Sequence, residues 1–146
     1  MSEPVTYEIQ HLIPELCRVH YERARSRFEG LGLARGQPGV LRQLWLRDGL
    51  TQAELGEALH VQPATITRMI QRMERAGWVE RRPDPDDQRA WRVYQTDAAR
   101  TVQPRVESLI QALNAEALQG FTPDEVRALT GFLTRMRDNL RTLNEP

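Results

Sequence analysis

The chain has 146 residues, of which 40% are hydrophobic and 27% charged, and its formal net charge is zero. This composition excludes a disordered chain, and no apolar run approaches the roughly 20 residues that a membrane-spanning helix needs. No secretory leader precedes Tyr7 and the single Cys17 has no disulfide partner, so we expect one soluble, cytoplasmic protein.

The N-terminal residues predict a helix that runs to about Glu29, with Pro14 on its polar side producing a kink. A second helix opens at Pro38 and ends near Asp48 and Gly49. The apolar stripe of the first helix, at steps of three and four, is Val5, Ile9, Leu12, Leu16 and Val19. The inward positions of the second helix are Val40, Leu41, Leu44 and Trp45.

A short third helix is predicted from Thr51 to about Leu59. Thr51 and Glu54 form a capping box, in which each side chain bonds the backbone N–H of the other residue. The inward positions of this helix are Ala53, Leu55, Ala58 and Leu59. Residues 60–62 then break the chain, Pro63 begins a fourth helix and Gly77 ends it.

The fourth helix has one apolar and one polar face. Its predicted buried stripe is Ile66, Met69, Ile70 and Met73. The opposite face carries only hydrogen-bonding or cationic side chains, namely Thr65, Thr67, Arg68, Gln71, Arg72 and Arg75. A face of this kind is suited to DNA, but by itself it favours a solvated helix surface.

Two short strands follow, at residues 78–82 and 90–95, because apolar and polar residues alternate there. The turn-rich segment between them, residues 83–89, is too polar to pack. Two helices joined by a tight turn and followed by a hairpin with a charged tip predict a winged helix-turn-helix. The predicted fold class is therefore mainly α with a small β-hairpin, and the fourth helix is expected to enter a DNA major groove.

Two more helices complete the chain. Thr96 and Asp97 cap the first, which reaches about Gln119, and Thr122 and Glu125 form a second capping box at the start of the last. Pro104 is expected to bend the first of them. Apolar positions on that helix are Val102, Val106, Leu109 and Leu113. The last helix has a seam at steps of three and four, made of Val126, Leu129, Leu133, Met136, Leu140 and Leu143.

These terminal stripes need a partner, and a winged helix alone offers too little apolar surface. They predict a homodimer, although packing within a single monomeric bundle would also cover them. We therefore expect a single domain, residues 1–146, with a DNA-binding lobe at residues 36–96 and dimerisation helices at residues 5–30 and 97–144. Charge is segregated accordingly, since residues 61–105 carry nine arginines against six acids, while neither flank has an arginine excess.

Four segments carry a family resemblance: Leu50–Leu55, Pro63–Arg68, Arg75–Arg81 and Asp84–Ala90. They resemble the MarR (multiple-antibiotic-resistance regulator) family of bacterial transcription factors over roughly residues 32–100. At the corner after the wing, Gln95, Thr96 and Ala99 depart from the family pattern. The resemblance implies that Arg89 of the wing reaches toward the minor groove and that Asp87 braces it. The alternative for this pair is an exposed ion pair that contributes at most about 1 kcal/mol to folding.

On this basis the predicted DNA contacts are Thr65, Thr67, Arg68, Gln71 and Arg72 on the fourth helix, with Arg89 and its support Asp87 in the wing. Two such lobes would enter successive major grooves of a pseudo-palindromic site, about 34 Å apart. We predict a homodimeric repressor of transcription that blocks polymerase and is relieved by a ligand.

The family resemblance also implies a small aromatic or anionic effector. Candidate ligand residues on the first two helices are His20, Arg23 and Trp45, with His11 and Arg27 near them in sequence. Trp45 is better explained as a core tryptophan than as a ligand wall.

Three other functions have weaker support in the residues. Cys17 faintly resembles the cysteine of oxidant-sensing relatives, but the tyrosines that support a thiolate are missing from residues 34–40. A winged helix can instead bind only proteins. No nucleophile elbow, phosphate loop or metal-ligand spacing is present, so neither an enzyme nor a cofactor is expected.

Overall fold

The computed structural model describes residues 3–142, with side chains from Thr6 onward. Within this range the elements are α1 (Glu3–Glu29), α2 (Gln37–Leu46), β1 (Leu50–Thr51), α3 (Gln52–Leu59), α4 (Pro63–Arg75), β2 (Val79–Pro83), β3 (Trp91–Gln95), α5 (Asp97–Ala117) and α6 (Pro123–Thr142). The chain divides into two compact units, Met1–Ile110 and Gln111–Pro146, so α5 begins in the first unit and ends in the second.

The helix-turn-helix and the sheet share the core of the first unit. Of the predicted inward positions of α2 and α4, Val40, Leu41, Leu44, Ile66, Ile70 and Met73 are buried, which confirms them. The other two, Trp45 and Met69, are only half-buried and pack against this core. The prediction for α3 is wrong at two positions, because Ala53 and Ala58 are exposed. In this eight-residue helix only one narrow face packs, and Leu55 and Gly56 occupy it.

The sheet has one strand more than the sequence predicts. Its order is β1-β3-β2, and both pairings are antiparallel. Strand β1 has only two residues, so it has no alternating pattern from which it could be recognised. Leu50 pairs with Val93, and Val93 also faces Arg81 of β2. The wing hairpin is therefore fixed to the segment that leads into α3.

Both predicted capping boxes are confirmed. Thr51 Oγ1 accepts the Glu54 N–H at 3.1 Å, and Glu54 Oε2 accepts the Thr51 N–H at 3.1 Å. In the second unit, Thr122 Oγ1 accepts the Glu125 N–H at 3.2 Å and Glu125 Oε2 accepts the Thr122 N–H at 2.8 Å. Each box satisfies backbone donors that the first turn of a helix leaves without partners.

The corner after the wing is closed by the residues that depart from the family pattern. The Gln95 N–H donates to Asp48 Oδ1 at 2.9 Å, and Thr96 Oγ1 lies 2.6 Å from the Gly77 carbonyl oxygen. Ala99 is fully buried, and its carbonyl oxygen accepts the indole N–H of Trp45 at 3.2 Å. These contacts anchor the start of α5 to α2 and to the turn after α4.

The long terminal helices are largely uncovered. Helix α1 continues through Pro14 and α5 through Pro104. Every described side chain from Thr6 to His20 in α1 is exposed, and so is every one from Thr130 to Thr142 in α6. Two members of the predicted stripes, Val5 and Leu143, lie outside the described side chains. No helix within residues 3–142 combines the length and the apolar character that a membrane crossing requires.

Candidate nucleic-acid interface

Helix α4 is held against α3 along its apolar face. Ile66, Ile70 and Met73 are at most 2% exposed. Gly56 of α3 permits this close approach, because a Cβ there would lie 3.0 Å from the Val61 carbonyl oxygen and 3.4 Å from Cγ2 of Ile66. The other face of α4 is therefore turned away from the core.

That outer face presents four exposed side chains at steps of three and four. They are Thr65, Arg68, Arg72 and Arg75, and we call the last three the arginine stripe. Among the described residues none of these three guanidinium groups pairs with a carboxylate, whereas the arginines of β2 and β3 all do. A row of uncompensated cations creates the positive potential that a phosphate backbone requires. Arg75 extends this row by one further step, although it is not among the DNA contacts predicted from the sequence.

Thr67 and Gln71 lie at the edge of this face and are only half-exposed. The Thr67 hydroxyl donates to the Pro63 carbonyl oxygen at 2.9 Å and accepts from Gln52 Nε2 at 3.1 Å. Its hydrogen is thus already used within the protein. A base contact by Thr67 stays a prediction that requires this arrangement to open, and one by Gln71 stays a prediction as well.

The wing places Asp87 and Arg89 differently from the expectation. Asp87 Oδ1 accepts the backbone N–H of Arg89 at 3.0 Å, and no ion pair joins their side chains among the described residues. The predicted bracing of the guanidinium is therefore wrong: Asp87 supports the turn and not the cation. The Arg89 side chain is exposed at the wing tip.

The carboxylate that is buried in the wing is Asp84, which was not singled out in the sequence. Its Oδ1 accepts the Asp86 N–H at 2.9 Å, and its Oδ2 lies 3.1 Å from Nη2 of Arg92. The Asp86 N–H, and then the Arg92 guanidinium, hold the pKa of Asp84 below its usual range despite burial. Asp84 and Arg92 meet only because of the β2–β3 register, which the residue pattern does not fix.

A second ion pair connects α4 to the sheet. Glu74 Oε2 accepts the Arg81 N–H at 2.9 Å, and Glu74 Oε1 accepts from Arg81 Nε at 3.1 Å. The Arg81 N–H is the main cause of a lowered pKa at Glu74. This tie therefore stabilises the fold fully above the ordinary carboxyl pKa and is lost as the pH falls through the lowered value.

The three candidate ligand residues do not come together. Trp45 is half-buried against the core and donates to Ala99, which favours the core interpretation. His20 lines a cavity of about 230 Å³ between the second half of α1 and the start of α2, and neither Arg23 nor Trp45 lines it. The floor of this cavity includes Gly36, where a Cβ would lie 2.7 Å from Cε of Met69 on α4.

Two further candidates for chemistry in the sequence are the single cysteine and a metal site. Cys17 is exposed on α1, and the neighbouring Arg18 is paired with Glu22 at 3.0 Å. In the part of the chain that the structure describes, no three His, Cys, Asp or Glu side chains are grouped so that they could hold a metal ion.

Comparison with known proteins agrees with this geometry. A sequence profile of the MarR family matches residues 33–91. The chain is 32% identical to the HTH-type transcriptional regulator TtmR of Methylorubrum extorquens (strain PA1), over 96% of this chain and 74% of that protein.

Solved structures of similar proteins extend the likeness over the terminal helices. A MarR transcriptional regulator from Methanosarcina mazei Go1 is 26% identical, with a TM-score of 0.85 over 94% of this chain and 99% of that one. A cysteine-to-serine mutant of MarR from E. coli, solved in complex with operator DNA, is 28% identical, with a TM-score of 0.82 over 88% of this chain and 93% of that one. The chain therefore belongs to the MarR family and is a DNA-binding transcriptional regulator with a winged helix-turn-helix fold.

Proposed function

We propose that the chain binds a pseudo-palindromic promoter site as a homodimer and represses transcription until a small ligand releases it. The observation that carries this proposal is the arginine stripe, a row of exposed and uncompensated cations on the outer face of α4. In each subunit α4 would lie in a major groove, with Arg89 over the adjacent minor groove. The E. coli MarR mutant bound to operator DNA supports this mode of binding.

The homodimer is supported by the apolar residues that α1 and α6 leave uncovered. Residues 5–30 and 97–144 are the proposed dimerisation helices. On α1 the exposed apolar side chains include Leu12, Leu16 and Val19, and on α6 they include Leu133 and Leu140. Long apolar stripes of this kind cost free energy in water, and a second copy of the same helices covers them in a closed, two-fold arrangement.

Repression would follow when the dimer occupies the promoter. A dimer that spans two half-sites about 34 Å apart covers enough of a promoter to exclude RNA polymerase. Binding to chromosomal DNA also implies that the protein acts in the cytoplasm.

The salt dependence of binding tests the wing and distinguishes DNA binding from a protein-only function. If the arginine stripe and Arg89 of both subunits neutralise eight phosphates, log K should fall with log salt with a slope on the order of −7, at about 0.9 per phosphate. Arg89→Ala should reduce that slope by about 1 per subunit and weaken binding to all sequences alike. Fluorescence anisotropy with duplex DNA from upstream of the protein's own gene measures both.

Gln88→Ala is the matched control, because it truncates an exposed, uncharged neighbour in the same wing. Its slope should equal that of the wild type. If the affinity of the wild type for duplex DNA did not change with salt concentration, the proposed DNA-binding mode would be refuted. The alternative would then be a winged helix that contacts only proteins.

The ligand proposal rests on the cavity beside α1. Its volume, about 230 Å³, is below the range of roughly 300–1,000 Å³ that drug-sized ligands occupy, so it suits a single ring system. Ala24 and Phe28 supply apolar lining, while Arg35, which stacks on Tyr21 at 4.5 Å and has no carboxylate partner among the described residues, supplies a cation. An aromatic carboxylate matches this lining. Its insertion would press on the Gly36–Met69 contact and displace α4.

Benzoate and 2-naphthoate test this idea, with benzyl alcohol as the uncharged comparison. An acid that fits should weaken operator binding by about 5- to 150-fold at saturation, the usual range of coupling between two sites. Ala24→Phe fills the cavity and should abolish the response, whereas Ala98→Phe, at an exposed position on α5, should retain it. Equal responses of the two variants would place the ligand elsewhere.

A further inference from the structure

The wing is exposed from Pro85 to Arg89 but is held at its base by a buried charge. Asp84 is only 6% exposed, and both of its carboxylate oxygens are used, one by the Asp86 N–H and the other by Arg92. A carboxylate so enclosed has lost most of its water, and these donors replace it.

Arg92 extends this contact beyond the hairpin. Its Nη1 donates to the Gly49 carbonyl oxygen at 2.8 Å, while its Nη2 holds Asp84. Gly49 in turn donates its N–H to the Val93 carbonyl oxygen at 3.1 Å. Gly49 has a φ of +73°, and a Cβ there would lie 2.9 Å from the Tyr94 ring, so its backbone is closely confined. The guanidinium of Arg92 therefore fixes the wing to a rigid point just before β1.

The same contacts lead from Asp84 to the wing tip. The Asp84 N–H donates to the Ala90 carbonyl oxygen at 3.0 Å, and the Ala90 N–H donates to the Asp87 carbonyl oxygen at 3.0 Å. Asp87 then accepts the Arg89 N–H. Because no side chain holds the Arg89 guanidinium among the described residues, the backbone of this turn alone fixes the point from which the Arg89 side chain extends.

We propose that the Asp84–Arg92 pair positions the wing, and that it thereby sets how Arg89 meets the minor groove without touching DNA. The proposal rests on the DNA-binding function proposed above. Asp84 and Arg92 are positioning residues, and Arg89 is the residue that makes the contact.

The direction in which Asp84→Asn changes the DNA affinity distinguishes a positioning role of Asp84 from a simple effect of its negative charge. Asparagine keeps an acceptor for the Asp86 N–H but loses the charge that holds Arg92. If only net charge mattered, removal of an acid next to DNA would tighten binding. If the pair positions Arg89, binding should weaken by about tenfold, as when a contacting arginine is lost, and the salt slope should fall as it does in Arg89→Ala.

The control is Asp86→Asn, which removes the same charge from an exposed position in the same wing. It should bind as tightly as the wild type or more tightly. In the double variant Asp84→Asn/Arg89→Ala, the loss should not exceed that of Arg89→Ala alone, because an arginine that is already misplaced has nothing further to lose. Additive losses would overturn the proposal.

Chemical footprinting shows which groove of the DNA loses its protein contact in Asp84→Asn. Hydroxyl-radical protection of the minor groove beside each half-site should be lost in Asp84→Asn, while protection of guanine N7 in the major groove by α4 should remain. Loss of both protections would show a general disturbance of the lobe and would also overturn the proposal. A wild-type protein that binds no duplex DNA would refute the proposed function itself, which is a separate outcome.

Discussion

Arg72→Ala is expected to weaken binding of a specific duplex by at least about 30-fold, the largest effect expected from the loss of one DNA-contacting side chain. Arg72 lies at the centre of the arginine stripe, is exposed and has no carboxylate partner among the described residues. It can therefore offer its full set of donors to a guanine or a phosphate. Loss of such a contact costs about 1–3 kcal/mol per site, and a dimer loses two. Electrophoretic mobility shift or anisotropy against specific and random duplexes measures the change.

Arg105→Ala is the matched control. Arg105 is also exposed and has no ion-pair partner among the described residues, but it lies on α5, outside the helix-turn-helix and the wing. Its replacement removes the same charge and should change the affinity by less than about twofold. If both variants bound equally well, α4 would not be the element that contacts DNA. A loss limited to the specific duplex assigns Arg72 to a base, whereas an equal loss on both duplexes assigns it to a phosphate.

Leu16→Glu is expected to convert the protein to a monomer. Leu16 is 61% exposed within one chain, so the substitution does not disturb the fold of that chain. In a dimer that buries this stripe, each subunit would lose about 1.5–3 kcal/mol of apolar burial and would also have to desolvate a carboxylate. The dimer dissociation constant should rise at least 100-fold. Sedimentation equilibrium or light scattering after gel filtration determines the mass.

Leu46→Glu provides the comparison, because Leu46 is 74% exposed at the end of α2, outside the terminal helices. This variant should remain dimeric. Leu140→Glu tests the stripe of α6 in the same way, since Leu140 is 64% exposed. A monomer of Leu16→Glu should also bind a two-half-site duplex about 10²- to 10⁴-fold more weakly, because the second lobe is no longer tethered. A wild-type protein that is itself monomeric would contradict the dimer.

The elements that the sequence predicts correctly are those with local causes. Thr51 and Glu54 are three residues apart, and their reciprocal bonds need nothing beyond the first turn of α3. The buried stripe of α4 follows from helical periodicity, and the outer position of Arg68 and Arg72 follows from the same spacing. Gly77, with a φ of +85°, ends α4 at the predicted place for an equally local reason.

Most of the failures have distant causes, and the one at Asp87 has a local cause. Thr67 looks as available as Thr65 in the sequence, but it faces Gln52, fifteen residues earlier, across the helix-turn-helix. The pairing of Asp84 with Arg92 depends on the strand register, as does β1, which is defined by its partner and not by its own two residues. Asp87 was assigned to the Arg89 guanidinium by family analogy, yet a short Asp side chain in a tight turn bonds the backbone two residues ahead more readily.

The unpaired state of the arginine stripe has an energetic consequence for the protein without DNA. Arg68 and Arg72 are four residues apart and Arg72 and Arg75 three, so like charges stand on successive turns and repel one another by about 0.2–0.5 kcal/mol per pair. Electrolyte that screens this repulsion should reduce this cost to the folded lobe, while it weakens binding to nucleic acid. For these three arginines, their contributions to folding and to operator binding therefore respond to ionic strength in opposite directions, a trade-off that follows from leaving them uncompensated.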